Sequence, residues 1–243
     1  MIKFTKLRWL RATSAALAVG LAATAGMEMT AQGASSYSIF KLSGVVTDCV
    51  VPRIAASAPA DAASEVGPAG GEDITDDEAR DAHDCAKDEM AAAYARSGDA
   101  NARDYITWTV YSTAPYTSAT HGNRYVNNFA NPAGAEYGKF EQGVRLPVGS
   151  VLVKDSFVVN ARGQVVFGVL SLMEKMESGF NAEFSDWRYT MILPTGEVVG
   201  TTGGAGSDMV AFCAGCHVAV DETQGSLYFL PKRYRGGRFD IDK

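Results

Sequence analysis

The fold is decided by residues 151–172, which read VLVKDSFVVNARGQVVFGVLSL. Two apolar runs rich in β-branched residues, Val151–Val159 and Val165–Leu172, flank the turn sequence Asn160-Ala161-Arg162-Gly163. Strand-like runs on either side of a glycine-containing turn are typical of a β-hairpin. We therefore expect two antiparallel strands in this stretch.

The segments around this hairpin complete the predicted fold. Trp187–Leu193 and Glu197–Thr201 predict a second hairpin, and Tyr105–Tyr111 predicts a further strand. Thr75 and Glu78 have the spacing of a capping box, which predicts a helix that begins there. Consecutive hairpins, with helices before and after them, favour an α+β fold with a predominantly antiparallel sheet.

Composition narrows the class of protein. The chain has 243 residues, of which 47% are hydrophobic and 21% are charged, and its net charge is −6. These values are ordinary for a globular protein. The acidic balance argues against a nucleic-acid-binding protein, because phosphate recognition needs a basic surface.

The N-terminus has the features of an export signal. Basic residues precede the apolar stretch Ala12–Ala25, which at about fourteen residues is short for a bilayer span. The small residues at its end offer a cleavage site, so we predict a secretory signal peptide at 1–25 and a periplasmic protein. An uncleaved membrane anchor is the alternative. After the signal we expect an N-terminal extension at 26–104, with an acidic loop and a helix, and one further domain at 105–243.

The most informative motif is Cys213-Ala214-Gly215-Cys216-His217. C-x-x-C-H is the attachment signal for c-type haem. Two thiols on one helical turn can bond to one porphyrin, and the adjacent histidine then lies beneath the iron as its axial ligand. The motif predicts a C-terminal helix that carries one covalent haem c through Cys213 and Cys216, with His217 on the iron. A thioredoxin-like redox pair and half of a zinc site are the alternatives.

The other two cysteines, Cys49 and Cys85, flank a segment rich in alanine, proline, glycine and acidic residues. Cysteines in an oxidising compartment commonly pair, and we predict a disulfide between these two. Two buried free thiols are the alternative.

Lys154 is unusual because it interrupts an apolar strand. Strand alternation puts it on the same face as Leu152, Ser156 and Val158. On a largely apolar face the charged form would be disfavoured, and the neutral amine would be more nucleophilic. An edge-strand lysine that points to solvent is the commoner use of such a residue.

Three segments together carry a resemblance to a known family. The lysine strand reads Gly149-Ser150-Val151-Leu152-Val153-Lys154, a tryptophan strand follows at Asp186-Trp187-Arg188-Tyr189, and the C-x-x-C-H motif closes the pattern. In this order, roughly residues 105 to 235 resemble the cytochrome P-460 family, which joins an antiparallel β-rich domain to a C-terminal C-x-x-C-H. The resemblance implies that Lys154 is covalently cross-linked to the haem.

The resemblance also implies a function. Members of this family oxidise hydroxylamine, nitric oxide or both at an open haem iron, which here implies a periplasmic electron acceptor and a homodimer. The related beta-type cytochromes c-prime lack the cross-link and bind nitric oxide without turnover, so a gas-binding cytochrome is the alternative. An electron-transfer cytochrome c needs a second axial ligand, for which Met173, Met176 and Met191 are the candidates.

The residues expected on the distal side of the haem, opposite His217, depart from the family pattern. In the oxidising members a glutamate assists proton transfer, and the position counted without gaps from Trp187 falls on Ser171 here. Glu174 and Glu177 are close in sequence and would reach the pocket only in a shifted alignment. The alternative is that both glutamates lie in a solvated acidic turn. A serine at position 171 favours the gas-binding function.

The other two histidines, His121 and His83, are the remaining candidates for a role at the site. His121 begins a segment dense in hydrogen-bonding groups, which forms either a structural turn or a loop near the haem edge. His83 lies in the predicted acidic helix, where we expect a surface residue.

Overall fold

The computed structural model describes residues 44–63 and 70–236, so the predicted signal peptide lies outside the described residues. The helices are α1 (Pro52–Ser57), α2 (Asp76–Ala95), α3 (Ala100–Asp104), α4 (Ser207–His217) and α5 (Asp221–Gln224). The strands are β1 (Val45–Val50), β2 (Thr109–Val110), β3 (Tyr116–Ser118), β4 (Arg124–Ala130), β5 (Val151–Val159), β6 (Gln164–Phe167), β7 (Leu170–Lys175), β8 (Trp187–Ile192) and β9 (Val198–Thr201). Within these ranges no helix has the length and apolar character that crossing a membrane requires.

The described strands form one antiparallel sheet around β5. β4 pairs along one edge of β5, whereas β6 and β7 share the other edge. The main path runs β1-β6-β5-β7-β8-β9, and β2 and β3 pair with β4. Both predicted hairpins are confirmed, as is the mostly antiparallel sheet with accompanying helices.

The two faces of the sheet pack against different helices. On one face, alternate side chains of β5 such as Val153 and Phe157 join a core with Ala86 and Met90 of α2. On the other face, Leu152 belongs to a core that includes residues of α4. Because side chains alternate along a strand, Lys154 lies on the α4 face and Asp155 on the α2 face.

The predicted helix start is confirmed at α2. The Thr75 hydroxyl accepts a hydrogen bond from the Glu78 backbone N–H at 3.2 Å, and the Glu78 carboxylate accepts one from the Thr75 N–H at 2.9 Å. A capping box satisfies two backbone donors that the first helical turn leaves without partners. Arg53 from α1 also pairs with Glu78 at 2.7 Å and ties α1 to this helix start.

Two predicted strands differ from the structure. Tyr105–Tyr111 is wrong as one strand, because its first part forms a 3₁₀ helix, Tyr105–Thr107, that continues directly from α3. The predicted strand at 165–172 is divided between β6 and β7 at Gly168 and Val169. A Cβ at Gly168 would lie 2.5 Å from the guanidinium Nη1 of Arg124, so a larger residue there would displace the buried Arg124 side chain.

The N-terminal extension packs on the sheet. Cys49 of β1 and Cys85 of α2 are disulfide-bonded, which excludes the pair of free thiols. β1 pairs with β6, and α2 residues share a hydrophobic core with β5 and β6. The described part of 26–104 and the sheet of 105–243 therefore share one core.

Candidate functional site

A cavity of about 370 Å³ opens on the α4 face of the sheet. Ligand and cofactor sites in proteins typically have volumes of roughly 300–1,000 Å³. The sheet contributes its floor, and α4, residues 228–231 after α5 and the loop after β3 contribute its walls. The lining includes Tyr116, Ser118, Thr120, His121, Asn128, Leu152, Lys154, Ser171, Met173, Tyr189, Phe212, Cys213, Cys216, His217, Tyr228 and Phe229.

The two cysteines and the histidine of the C-x-x-C-H motif all line this cavity. They lie in the second half of α4, which packs on β8 and β9. Neither Cys213 nor Cys216 is in a disulfide, and Cys213 is half-buried whereas Cys216 is exposed. Burial raises the pKa of the Cys213 thiol to about 12. A thiol with a raised pKa is rarely deprotonated, whereas the nucleophilic cysteine of a thioredoxin-like pair has a lowered pKa. The raised pKa of Cys213 therefore argues against a thioredoxin-like redox pair.

His217 is held in one tautomer and orientation. Its Nδ1–H donates to the Ser226 carbonyl oxygen at 2.7 Å, which leaves the lone pair on Nε2. The rings of Tyr189 and Tyr228 flank the imidazole at centroid distances of 5.4 and 5.2 Å. Burial, together with the positive charge of Lys154, lowers the pKa of His217 to about 4. The imidazole is therefore neutral at physiological pH, which is the form that ligates a metal.

Lys154 reaches the same cavity from its floor. Its register partners are Asn128 on β4 and Ser171 on β7, so β5 is an interior strand and the edge-strand alternative is wrong. Burial lowers the pKa of the amine to about 8, against a smaller opposing effect of Cys216. Among the described residues Lys154 has no ion-pair partner. At pH 7 about a tenth of Lys154 is therefore a neutral, nucleophilic amine, a much larger fraction than for an ordinary lysine.

The carboxylates considered from the sequence lie outside the cavity. Ser171 lines it, next to Lys154. Glu174 instead pairs with Arg188 on β8 and accepts a hydrogen bond from Asn101, and Glu177 is exposed in the loop after β7. Among the described residues that line the cavity there is no aspartate or glutamate.

His121 also lines the cavity, a position that the sequence left open. It ends the 3₁₀ helix Ala119–His121, and its Nδ1 lies 2.9 Å from Ser118 Oγ and 3.2 Å from Thr120 Oγ1. Burial lowers its pKa well below the ordinary value, and the charges of Lys154 and His217 lower it further. The density of polar residues around 121–128 was the available signal, but it did not show which way the loop folds.

A chain of hydrogen bonds stiffens the cavity wall. The Tyr116 hydroxyl donates to Asn128 Oδ1 at 2.9 Å, and Asn128 Nδ2 donates to the Tyr137 hydroxyl at 2.9 Å. Tyr137 in turn donates to the Tyr228 carbonyl at 3.1 Å. This network connects the strand that faces Lys154 to the segment that flanks His217.

Of the methionines considered as second axial ligands, only Met173 lines the cavity. Met191 is fully buried in the core beneath α4, and Met176 lies beyond the end of β7. Of these three methionines, Met173 alone is placed to act as a second axial ligand in an electron-transfer cytochrome.

His83 is buried, so its prediction as a surface residue is wrong. It lies on the face of α2 that packs on the sheet, and its Nε2 is 2.8 Å from Asp155 Oδ2. Burial lowers the pKa of His83, but the charge and hydrogen bond of Asp155 outweigh it and raise the pKa overall. The spacing of Ala79 and Ala86, four before and three after His83, was a signal for this buried face.

The residues present fit a c-type haem. The donor set offers two thiols on one helical turn and an imidazole with its Nδ1–H bonded to a carbonyl, all beside a largely apolar cavity. The zinc alternative lacks ligands, because Cys49 and Cys85 bond to each other and the described residues contain no metal-binding group of three or more ligand side chains. No family model and no curated protein sequence matches the chain.

Proposed function

We propose that this chain is an exported c-type haem protein that oxidises hydroxylamine, nitric oxide or both. Cys213 and Cys216 would hold the porphyrin and His217 would ligate the iron. The observation that carries the proposal is the His217 Nδ1–Ser226 hydrogen bond, which leaves the lone pair on Nε2 of a histidine that lines the same cavity as the two thiols. When bound, the haem supplies redox chemistry and an open position on the iron.

Export is supported by the N-terminal sequence and by the disulfide. Disulfides such as Cys49–Cys85 persist in oxidising compartments like the periplasm, where c-type haem is also attached. Oxidation of NH₂OH to NO releases three electrons and three protons, so the proposal includes a periplasmic electron acceptor. The homodimer implied by the family resemblance stays a prediction.

Lys154 would hold the macrocycle by a further covalent bond. Its amine lies within the cavity and is partly neutral, which supports this role. A nitrogen–carbon bond to the ring replaces one N–H and one C–H bond and releases two electrons and two protons, which a peroxide oxidant would take up. The cross-link would then act on the shape and electronics of the ring.

The cavity also supports a second candidate, a cytochrome that binds nitric oxide without turnover. The observation in its favour is that Ser171, rather than a carboxylate, lies beside Lys154. A positioned general base contributes roughly 10²–10⁴-fold to a proton transfer, so its absence would slow oxidation far more than binding.

The cross-link predicts a spectroscopic change. We expect the purified holoprotein to show a strongly red-shifted ferrous Soret band, and Lys154→Ala to return the band to an ordinary c-type position while the haem stays covalently bound. The matched control is Lys175→Ala, a lysine on β7 that bonds to the Ser185 carbonyl outside the cavity. Identical spectra for wild type and Lys154→Ala would exclude the cross-link.

A turnover assay separates the two candidate functions. With hydroxylamine and an artificial electron acceptor, the enzyme is expected to exceed free haem, and Ser171→Glu is expected to raise kcat by about tenfold or more by supplying a base. Ser171→Gln controls for side-chain size without adding a base. Consumption no faster than free haem, combined with tight nitric oxide binding, would favour the gas-binding cytochrome instead.

A further inference from the structure

Tyr189 lies in the wall of the cavity beside the proposed iron ligand. It belongs to β8 and lines the cavity, and its ring centroid is 5.4 Å from that of His217. Thr202 fixes its backbone, because the Thr202 hydroxyl accepts from the Tyr189 N–H at 3.1 Å and the Thr202 N–H donates to the Tyr189 carbonyl oxygen at 2.9 Å. Tyr189 therefore has a defined position next to the proposed haem site.

The hydroxyl of Tyr189 is buried without a hydrogen-bond partner. The residue is only 3% exposed, and no atom of the described residues forms a hydrogen bond with this hydroxyl. Native proteins rarely leave a buried donor in this state, because the donor has given up its hydrogen bond to water and gained none in return. The hydroxyl therefore indicates an acceptor that a bound group supplies.

The other ring beside His217 provides a contrast. Tyr228 flanks the imidazole at 5.2 Å, and its hydroxyl donates to the Cys216 carbonyl oxygen at 3.3 Å. Of the two tyrosines that pack on His217, Tyr228 is thus satisfied within the chain, whereas Tyr189 is not. Packing on the imidazole needs only an aromatic ring, so it does not account for the Tyr189 hydroxyl.

The electrostatic surroundings of this hydroxyl connect it with the attachment cysteines. Burial raises its pKa, and Cys213, Asp221 and Cys216 raise it further. The hydroxyl therefore keeps its proton throughout the physiological range and is available as a donor. It also lies within electrostatic reach of both cysteines that would anchor the porphyrin.

We propose that Tyr189 is a haem-binding residue and that its hydroxyl donates a hydrogen bond to a substituent of the haem. This inference rests on the proposed function, because the acceptor arrives with a haem held by Cys213 and Cys216. A haem c carries two kinds of acceptor at its edge, the carboxylates of its propionates and the sulfurs of its thioethers. A donor to either kind draws electron density away from the ring and so stabilises the ferrous state.

Tyr189→Phe is expected to have opposite effects on the stability of the holoprotein and of the protein without haem. In the holoprotein the change removes a satisfied hydrogen bond, and we expect the unfolding equilibrium constant to rise about fivefold. Without haem it removes an unsatisfied donor, so we expect this constant to fall or to stay unchanged. Urea denaturation measures both constants, with protein without haem taken from cells that export the chain but lack the machinery for c-type attachment.

Tyr228→Phe is the matched control. It removes a hydroxyl from the other ring beside His217, but the partner of that hydroxyl belongs to the chain in both forms. We therefore expect Tyr228→Phe to change the stability of the holoprotein and of the protein without haem alike.

A second measurement needs only the holoprotein. We expect Tyr189→Phe to lower the reduction potential of the haem, because the ferrous state loses its donor, and Tyr228→Phe to leave the potential close to that of wild type. The same substitution in Cys213→Ala and Cys216→Ala backgrounds, each of which keeps one thioether, identifies the acceptor. A shift that is lost in one background assigns the sulfur of the replaced cysteine, and a shift that is kept in both assigns a carboxylate.

Two results overturn the role of Tyr189 and leave the proposed function standing. One is a Tyr189→Phe holoprotein with the reduction potential of wild type. The other is a Tyr189→Phe change that stabilises the holoprotein as much as it stabilises the protein without haem, since the hydroxyl would then be unsatisfied in both. Wild-type protein purified without haem from cells that attach c-type haem overturns both this inference and the proposed function.

Discussion

The double variant Cys213→Ser/Cys216→Ser is expected to contain no covalently bound haem. Each thiol would form one thioether to the porphyrin, and a serine hydroxyl cannot replace it. Both cysteines line the cavity beside His217 and neither is in a disulfide. The measurement is haem-dependent peroxidase staining of denatured protein on a gel, together with the intact mass, from cells that attach c-type haem. Wild type is expected to stain and to carry the mass of one haem.

The other cysteine pair provides the matched control. Cys49→Ser/Cys85→Ser also removes two sulfur atoms, but this pair joins β1 to α2 on the opposite face of the sheet. We expect this variant to keep its haem and to lose roughly 3–4 kcal/mol of stability, because the disulfide closes a loop of 36 residues. Wild-type protein that is purified from such cells without covalent haem would remove the basis of the proposed function.

His83→Leu is expected to lower the free energy of unfolding by about 3–5 kcal/mol. The change leaves the Asp155 carboxylate in the interior without its partner, and breaking a buried pair from one side costs about this much. Asp155 is fully buried, and its remaining hydrogen-bond partners are neutral groups: the Tyr105 hydroxyl at 3.5 Å, and the backbone N–H and side-chain Nδ2 of Asn127 at 3.4 and 3.5 Å. Urea denaturation followed by circular dichroism measures the loss.

The double variant His83→Leu/Asp155→Leu distinguishes an orphaned charge from a simple loss of packing. Replacing both partners with apolar residues removes the uncompensated charge, so we expect it to be more stable than His83→Leu alone. A double variant that loses the sum of the two single effects would show that the pair acts only through its shape.

The same pair predicts a pH dependence. Asp155 holds the pKa of His83 above its ordinary value in the folded protein, whereas the unfolded value is about 6.5. The pair therefore stabilises the fold fully below about pH 6.5, and this contribution is lost as the pH rises through the folded pKa. The difference in unfolding free energy between wild type and the double variant should accordingly shift against wild type at higher pH. A pH-independent difference would contradict a protonated His83.

Local patterns account for the parts of the fold that were predicted correctly. The capping box at Thr75 and Glu78 involves residues three apart, and the hairpin turn at 160–163 joins strands that are neighbours in sequence. The strand predicted at Tyr105–Tyr111 was wrong because aromatic and β-branched residues suit both a strand and a buried 3₁₀ turn. Burial of Tyr105 under α2, a tertiary contact, favoured the turn.

The candidate site was predictable only where its residues are close together in sequence. Cys213, Cys216 and His217 lie within two turns of one helix, so their spacing alone indicates the chemistry. Strand alternation also predicted the face of β5 that carries Lys154. The sequence could not show that this face meets α4, because that depends on how the strands are ordered in the sheet.

By itself, the sequence determined which residues have reactive side chains and which of them share a helix or a strand face. The tertiary structure alone decided that His121 faces the cavity that holds Lys154 and His217, and that His83 is buried against Asp155. The physical reason is that such contacts join segments that are distant in the chain. They form only when β3, β4, β5 and α2 pack together, and no local pattern encodes that arrangement.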